Sequence, residues 1–415
     1  MASFQKSSSN SWFKKIAIFL SVLGPGIIAA NADNDAAGIA TYTISGARYG
    51  YGLLFSLFII TFVLAVTQEM GTRIGVVTGK GLGGVIRERF GLKLTMLAMF
   101  FMAIANAGVI IADMAGIAES MELFGISKYI AVPIIVFILW LLLYKGSFKR
   151  AEKIFLALSG IYIVYIVTAF YTKPDWGEAL TALVKPHLQF DRQYLLTLIA
   201  LIGTTVTPWG QFFIQSYVVD KGIRLKHYAY ERLEIFIGAF ITDFFSFFVI
   251  VTAANTLFKN NIFVDTASQA ALSLTPLAGH YASILFAVGF LNAGIMGASI
   301  VTLATAYAIC EAFGFESGLD RNRKEAPIFY GIIITLLIGS GLIVLIPGLP
   351  LFRIMLLSQG LNGMLLPIIL IYAYKIINDK KVMGEYKNSR IANIITLTAL
   401  GLLVFASILV LISSF

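Results

Sequence analysis

The sequence predicts an all-α integral membrane protein with eleven transmembrane helices. Three observations carry that prediction. Of the 415 residues, 58% are hydrophobic and 13% are charged. With a mean hydropathy of +0.86, this is far more apolar than a soluble domain of that length. The apolar residues fall in repeated runs of about 20, long enough to cross a bilayer as a helix. The charges lie between the runs. The runs are residues 16–45, 50–77, 94–121, 128–145, 152–172, 194–219, 230–257, 278–311, 326–348, 350–377 and 391–413.

Charge placement supports that count. With the N-terminus inside, 24 of the 31 basic residues fall on the cytoplasmic side. The other seven are Arg48, Lys128, Lys173, Lys185, Arg192, Lys259 and Arg353. Such asymmetry is the mark of a multi-pass protein, and a wrong span count would scramble it. The expectation is a plasma-membrane protein with a cytoplasmic N-terminus and an extracellular C-terminus. The net charge of +9 then reads as topology and contact with the lipid bilayer, not as nucleic-acid binding. The single cysteine, Cys310, excludes an intramolecular disulfide. The first apolar run is too long for a cleavable signal. No nucleophile–base pair suggests an enzyme. No phosphate-binding loop suggests that ATP drives it, and no cofactor is called for. Oligomeric state is not legible.

Spans one and six carry helix-disfavouring sequence at their centres. In the first, Gly24-Pro25-Gly26 precedes "NADNDAAG", Asn31 to Gly38. Unwound backbone is tolerated at membrane depth where it lines a polar cavity, and an intramembrane acid is a functional hypothesis by default. Asp35, more than Asp33, is the candidate cation ligand. A cap on the broken helix, or a pair with a base elsewhere, is the competing role. Span six reads "IGTTVTPWGQFFIQS". Pro208 lacks an amide hydrogen, which frees a carbonyl near Thr204. A plain kink, with the threonines bonded to their own helix, is the alternative there. Span ten holds Ser358, Gln359 and Asn362 as helix–helix glue or as ligands. Asp113 in span three and Asp243 in span seven are candidates for an ion or proton path. Glu119, near a span end, reads as solvated.

Matching breaks in spans one and six suit two five-helix repeats, 16–172 and 194–377, plus an extra helix, 391–413, in one transporter domain, 1–415. Inverted-repeat secondary transporters place their substrate sites where such helices break. The pooled donors are carboxylate, amide, hydroxyl and carbonyl oxygens. These are hard ligands that suit magnesium, calcium or manganese.

The segments "LGPGIIAA", "DAAGIAT", "QEMGTRIGVVTGKGL", "GTTVTPWG" and "LLSQGLNGMLLP" resemble the Nramp family of divalent-metal transporters, in order along essentially the whole chain. The resemblance implies the leucine-transporter-like 5+5 inverted repeat. It places the family's first-span metal-binding acid on Asp35 and the family's asparagine on Gly38. The sixth-span methionine falls on Thr207, its histidine on Trp209, and the carbonyl ligand on Thr204. The tenth-span glutamine falls on Gln359. The implied ligands are Asp35, Thr204, Thr207 and Gln359, with Gly38 leaving room for a hydrated ion. Asp33, Asn34, Trp209, Gln211 and Asn362 are expected in the vestibule or outer shell. The departures resemble the Nramp-related magnesium transporter branch. A lost thioether weakens selection for softer ions. The proton route keeps Asp113, whereas its other positions fall on Asn106, Gly116 and Trp209. The implied activity is Mg²⁺ uptake, extending to Mn²⁺, by alternating access without proton coupling. The alternative is a proton-coupled Mn²⁺/Fe²⁺ transporter of the ordinary type.

Overall fold

The computed structural model describes residues 33–145, 159–189 and 191–412. Residues 16–32, with Gly24-Pro25-Gly26, and residues 152–158 of the fifth span lie outside them. Among the described residues all regular structure is helical. The membrane helices are α1 (Ala36–Tyr49), α2 (Leu54–Thr78), α3 (Leu82–Leu123), α4 (Lys128–Lys145) and α5 (Ile163–Tyr171). There follow α6 (Arg192–Thr205), α7 (Pro208–Asp220), α8 (Tyr228–Thr256), α9 (Ala282–Phe313), α10 (Pro327–Val344), α11 (Leu351–Ile377) and α12 (Arg390–Ile412). Eight segments are long and apolar enough to span a membrane, α6 and α7 together forming one of them, and α4 and α5 are shorter apolar helices. α1 completes the eleven spans as the described half of the first.

Two boundaries differ from expectation. The third helix begins at Leu82, not near 94, and runs through a break at Gly91 (φ 75°, ψ 176°). Positive φ is cheap only for glycine, so a short amphipathic stretch turns there into the membrane span. α9 begins at Ala282, after Gly279 at φ 53°. The residues ahead of it form short helices, including Ala267–Ala271, instead of extending the span.

α3 lies along α9 and α11, and α6 packs on α11. α8 packs against α1 and α2, and α7 against α2. Helices α3, α4, α10 and α12 turn large apolar side chains outward, among them Phe100, Phe137, Leu342, Ile394 and Phe405. A belt of that size on a chain of spanning helices is covered by lipid. Inside it, the faces of α1, α2, α3, α7, α8 and α11 bury an unusual number of polar groups.

Candidate functional site

The site grows from two helix starts. Asp35 is extended (φ −65°, ψ 179°) and caps α1; its Oδ1 accepts the Gly38 amide at 2.6 Å. Thr207 is extended (φ −98°, ψ 142°) and caps α7, with Pro208 in the first turn. Its Oγ1 accepts the Gly210 amide at 3.1 Å. Both caps satisfy donors that a helix start leaves orphaned. Asp35 therefore does perform the capping role that stood as an alternative to ligation, and it keeps Oδ2 for other use.

Residues from three further helices, with Tyr162 just before α5, hold the first break in place. The Ala36 amide donates to Asp113 Oδ1 of α3 at 3.2 Å. Gln68 Nε2 of α2 donates to Asp33 Oδ2 at 3.3 Å. Asn34 donates to the Thr242 carbonyl of α8 at 3.3 Å and accepts from Ser246 at 3.0 Å. Tyr162, just before α5, donates to the Asn34 carbonyl at 2.6 Å. The amide of Asn34 is thus committed to the protein and ties the break to α8.

At the second break, Pro208 supplies no amide to the Thr204 carbonyl four residues back. Thr204 Oγ1 is buried with no hydrogen-bond partner. Of Thr204, Thr205 and Thr207, Thr205 is the one that bonds back to its own helix, at Leu201, and it meets Tyr42 of α1 at 3.1 Å. Thr207 Oγ1 reaches Asp33 Oδ1 at 3.4 Å, so this hydroxyl contacts Asp33 directly. From α11, Gln359 turns its side-chain amide toward the Asp35 carboxylate as a hydrogen-bond donor. Asn362 donates to Gln359 Oε1 at 3.3 Å and to the Gly203 carbonyl at 2.8 Å. Asn362 is helix–helix glue that also orients Gln359. Ser358 bonds back to Met355.

The expectation that Gly38 leaves room is overturned. A Cβ there would stand 2.7 Å from the Asp33 carbonyl oxygen, 3.0 Å from Thr204 Oγ1 and 3.2 Å from Asp35 Oδ1. The Asp33 carbonyl stands against the position that any Cβ at residue 38 would take. Trp209 is completely buried, its Nε1 without a partner. Gln211 is buried against Gly71 of α2. Glu119 is half-buried and accepts the Ala267 amide at 3.1 Å, so it docks a short helix instead of standing in solvent.

Four acids are buried together: Asp33, Asp35, Asp113 and Asp243. Asp243 and Asp35 lie within electrostatic range of Asp33, and Asp35 within range of Asp113. Asp113 Oδ2 lacks a hydrogen-bond partner, and Asp243 has only the Thr61 hydroxyl of α2 beside it. Gly297 of α9 lets this cluster close, since a Cβ there would fall 2.4 Å from Asp113 Oδ2 and 2.7 Å from Asp35 Cβ. No Lys or Arg pairs with any of the four among the described residues. Nor do three His, Cys, Asp or Glu residues there stand close enough to hold a metal by themselves. A cation in this cavity would draw on amide, hydroxyl and carbonyl oxygens as well.

Sequence reasoning missed Gln68, Tyr162 and Gly297. Gln68 lies within a segment quoted for the resemblance, but nothing local marked it as the donor to Asp33. Tyr162 and Gly297 have no local signal, because their partners lie on distant parts of the chain.

A profile of the family described as Nramp, natural resistance-associated macrophage protein-like, matches residues 26–413. The divalent metal cation transporter MntH of Verminephrobacter eiseniae is 25% identical over 410 residues, covering 95% of this chain and 90% of that protein. Among solved structures, a variant of the Eremococcus coleocola manganese transporter superposes with a TM-score of 0.75 at 17% identity. That match covers 98% of this chain and 87% of the other. MhsT in complex with L-phenylalanine gives 0.60 at 13% identity, over 94% of this chain and 98% of the other. The fold is the leucine-transporter-like one.

Proposed function

The chain belongs to the Nramp family, and from that membership we propose that it carries divalent metal cations, chiefly Mg²⁺ and also Mn²⁺, into the cell. The observation that carries this reading is the buried acid cluster with no basic partner among the described residues. Uncompensated carboxylates are costly inside a membrane protein, and a dication offsets that cost. Asp35 is the charged ligand, with the Thr204 carbonyl, Thr207 and Gln359 as oxygen donors. Asp33 and Gln211 line the approach, and Trp209 closes the wall where the ordinary family has a histidine. Gly38 contributes no ligand. None of the proposed ligands carries sulfur or imidazole, which favours hard ions.

Transport proceeds by alternating access between two five-helix repeats, 16–172 and 194–377, with helix 391–413 outside them. The protein lies in the plasma membrane, with its N-terminus in the cytoplasm and its C-terminus outside. The driving force is the membrane potential. It is worth about 2.3 kcal/mol per charge per 100 mV, and a dication gains about twice that.

The test is Mg²⁺ influx into liposomes carrying the purified protein, read with an entrapped dye under an imposed potassium-diffusion potential. Influx that grows with internal negative potential and ignores external pH is expected. Mn²⁺ entry with no Mg²⁺ entry, stimulated by external acid, would return the chain to the proton-coupled branch.

A further inference from the structure

A cleft of about 540 Å³ opens where α1 ends and α6 and α11 begin. Its lining includes Arg48, Arg192 and Arg353. These are the three arginines among the seven basic residues that the charge count assigns to this side. The other titratable group of the lining is Asp265, which Arg48 approaches at 3.8 Å. Arg48 Nε is buried without a hydrogen-bond partner. Arg192 and Arg353 are exposed and make no ion pair among the described residues. The nearby Asp191 is committed to capping α6 through the Gln193 and Tyr194 amides. α11 starts after Pro350 without a side-chain cap, which leaves first-turn amides open. Leu356, Gly360 and other apolar neighbours form the remaining wall.

Like charges in a concave, low-dielectric setting focus the field and concentrate counter-ions. A guanidinium presents donors in a planar fork that fits carboxylate and phosphate oxygens. A three-arginine, one-aspartate cleft is therefore built for an anion, in a protein whose buried centre suits a cation.

We infer that this cleft binds a phosphate-class oxyanion, either free phosphate or a phospholipid headgroup, held by Arg48, Arg192 and Arg353. The bound anion cancels the positive field of the cleft. The cleft reaches Gly360, next in sequence to the buried Gln359 of the candidate cation site. The inference does not depend on which cation the protein carries, because none of the arginines belongs to that site.

The full-length protein in detergent, at constant ionic strength, would be titrated with inorganic phosphate while its thermal unfolding midpoint is followed. A ligand of the folded state raises that midpoint by mass action. The wild-type midpoint should rise saturably. In the R192Q/R353Q double variant, the concentration needed for half the effect should increase at least about tenfold. The R192K/R353K variant should fall between the two, and K324Q, on the opposite face by the charge count, should match wild type. Short-chain phosphatidylglycerol distinguishes the sources. A response to it alone, lost in R192Q/R353Q, assigns the cleft to a lipid headgroup. Absence of a saturable response to both probes in the folded wild type overturns the inference. So does an unchanged response in R192Q/R353Q.

Discussion

The chain starts a helix inside the membrane twice, by the same local device but once with charge and once without. At each start an extended residue accepts the amide of a glycine three positions on: Asp35 from Gly38, and Thr207 from Gly210. Cβ atoms would crowd both glycines, that of Gly210 lying 2.7 Å from Thr207 Oγ1. The first start bears carboxylates and is held by Gln68, Asp113, Tyr162, Thr242 and Ser246 from the surrounding helices. The second is neutral, produced by Pro208, and needs fewer ties. The difference teaches that a proline can open a helix by itself. A charged opening has to be tied to several helices at once, because buried charge is what the membrane tolerates least and its geometry must be held for a compensating cation.

The largest expected effect separates charge from capping. Asp35→Ala removes both, and its flux should fall to that of protein-free vesicles. Asp35→Asn keeps a good cap and should insert and purify like wild type, yet its flux should be equally lost. If Asp35→Asn transports normally, the first opening is structural and the comparison collapses.

Gly38→Asn comes next. Restoring the family's asparagine forces the Asp33 carbonyl out of contact, so uptake should drop severely for Mg²⁺ and Mn²⁺ alike. A gain of Mn²⁺ selectivity, with Mg²⁺ uptake preserved, would show that the break relaxes more easily than its packing implies.

Thr207→Met acts on the neutral opening. It removes the cap, at about 1 kcal/mol, and adds a soft donor. The ratio of Mn²⁺ to Mg²⁺ influx should rise several-fold in the liposome assay, and an unmoved ratio would remove Thr207 from the ion's surroundings.

The smallest effect is expected from Tyr162→Phe. It strips the bond to the Asn34 carbonyl and should lower stability by about 1–3 kcal/mol. Urea or thermal unfolding in detergent would read it. Flux should fall modestly, since the charged opening loses one tie among several.

Much of this was legible in sequence because the bilayer acts through composition and period. Runs of about 20 apolar residues, a basic asymmetry and two interrupted spans are one-dimensional signals. They led to the helical spans and to Asp35 as a candidate cation ligand, whereas Thr207 and Gln359 were singled out as ligands only through the family resemblance. Gly91 shows where such signals end. A single positive-φ residue lets the third helix begin a dozen residues ahead of its apolar run, and hydropathy does not report backbone torsion.

By itself, the sequence determined the class of protein, the spans, and the hard-oxygen character of its buried centre, because these depend on residue type and spacing alone. Tertiary structure alone decided the rest. It turned Gly38 from an opening into a contact, because the space is filled by the Asp33 carbonyl and by Thr204 from a helix far away in the chain. It committed Asn34 and Asn362 to neighbouring helices. It also gathered Arg48, Arg192 and Arg353 around one cleft. Occupied volume and hydrogen-bond partnership are properties of pairs of residues brought together by folding, and no single position encodes them.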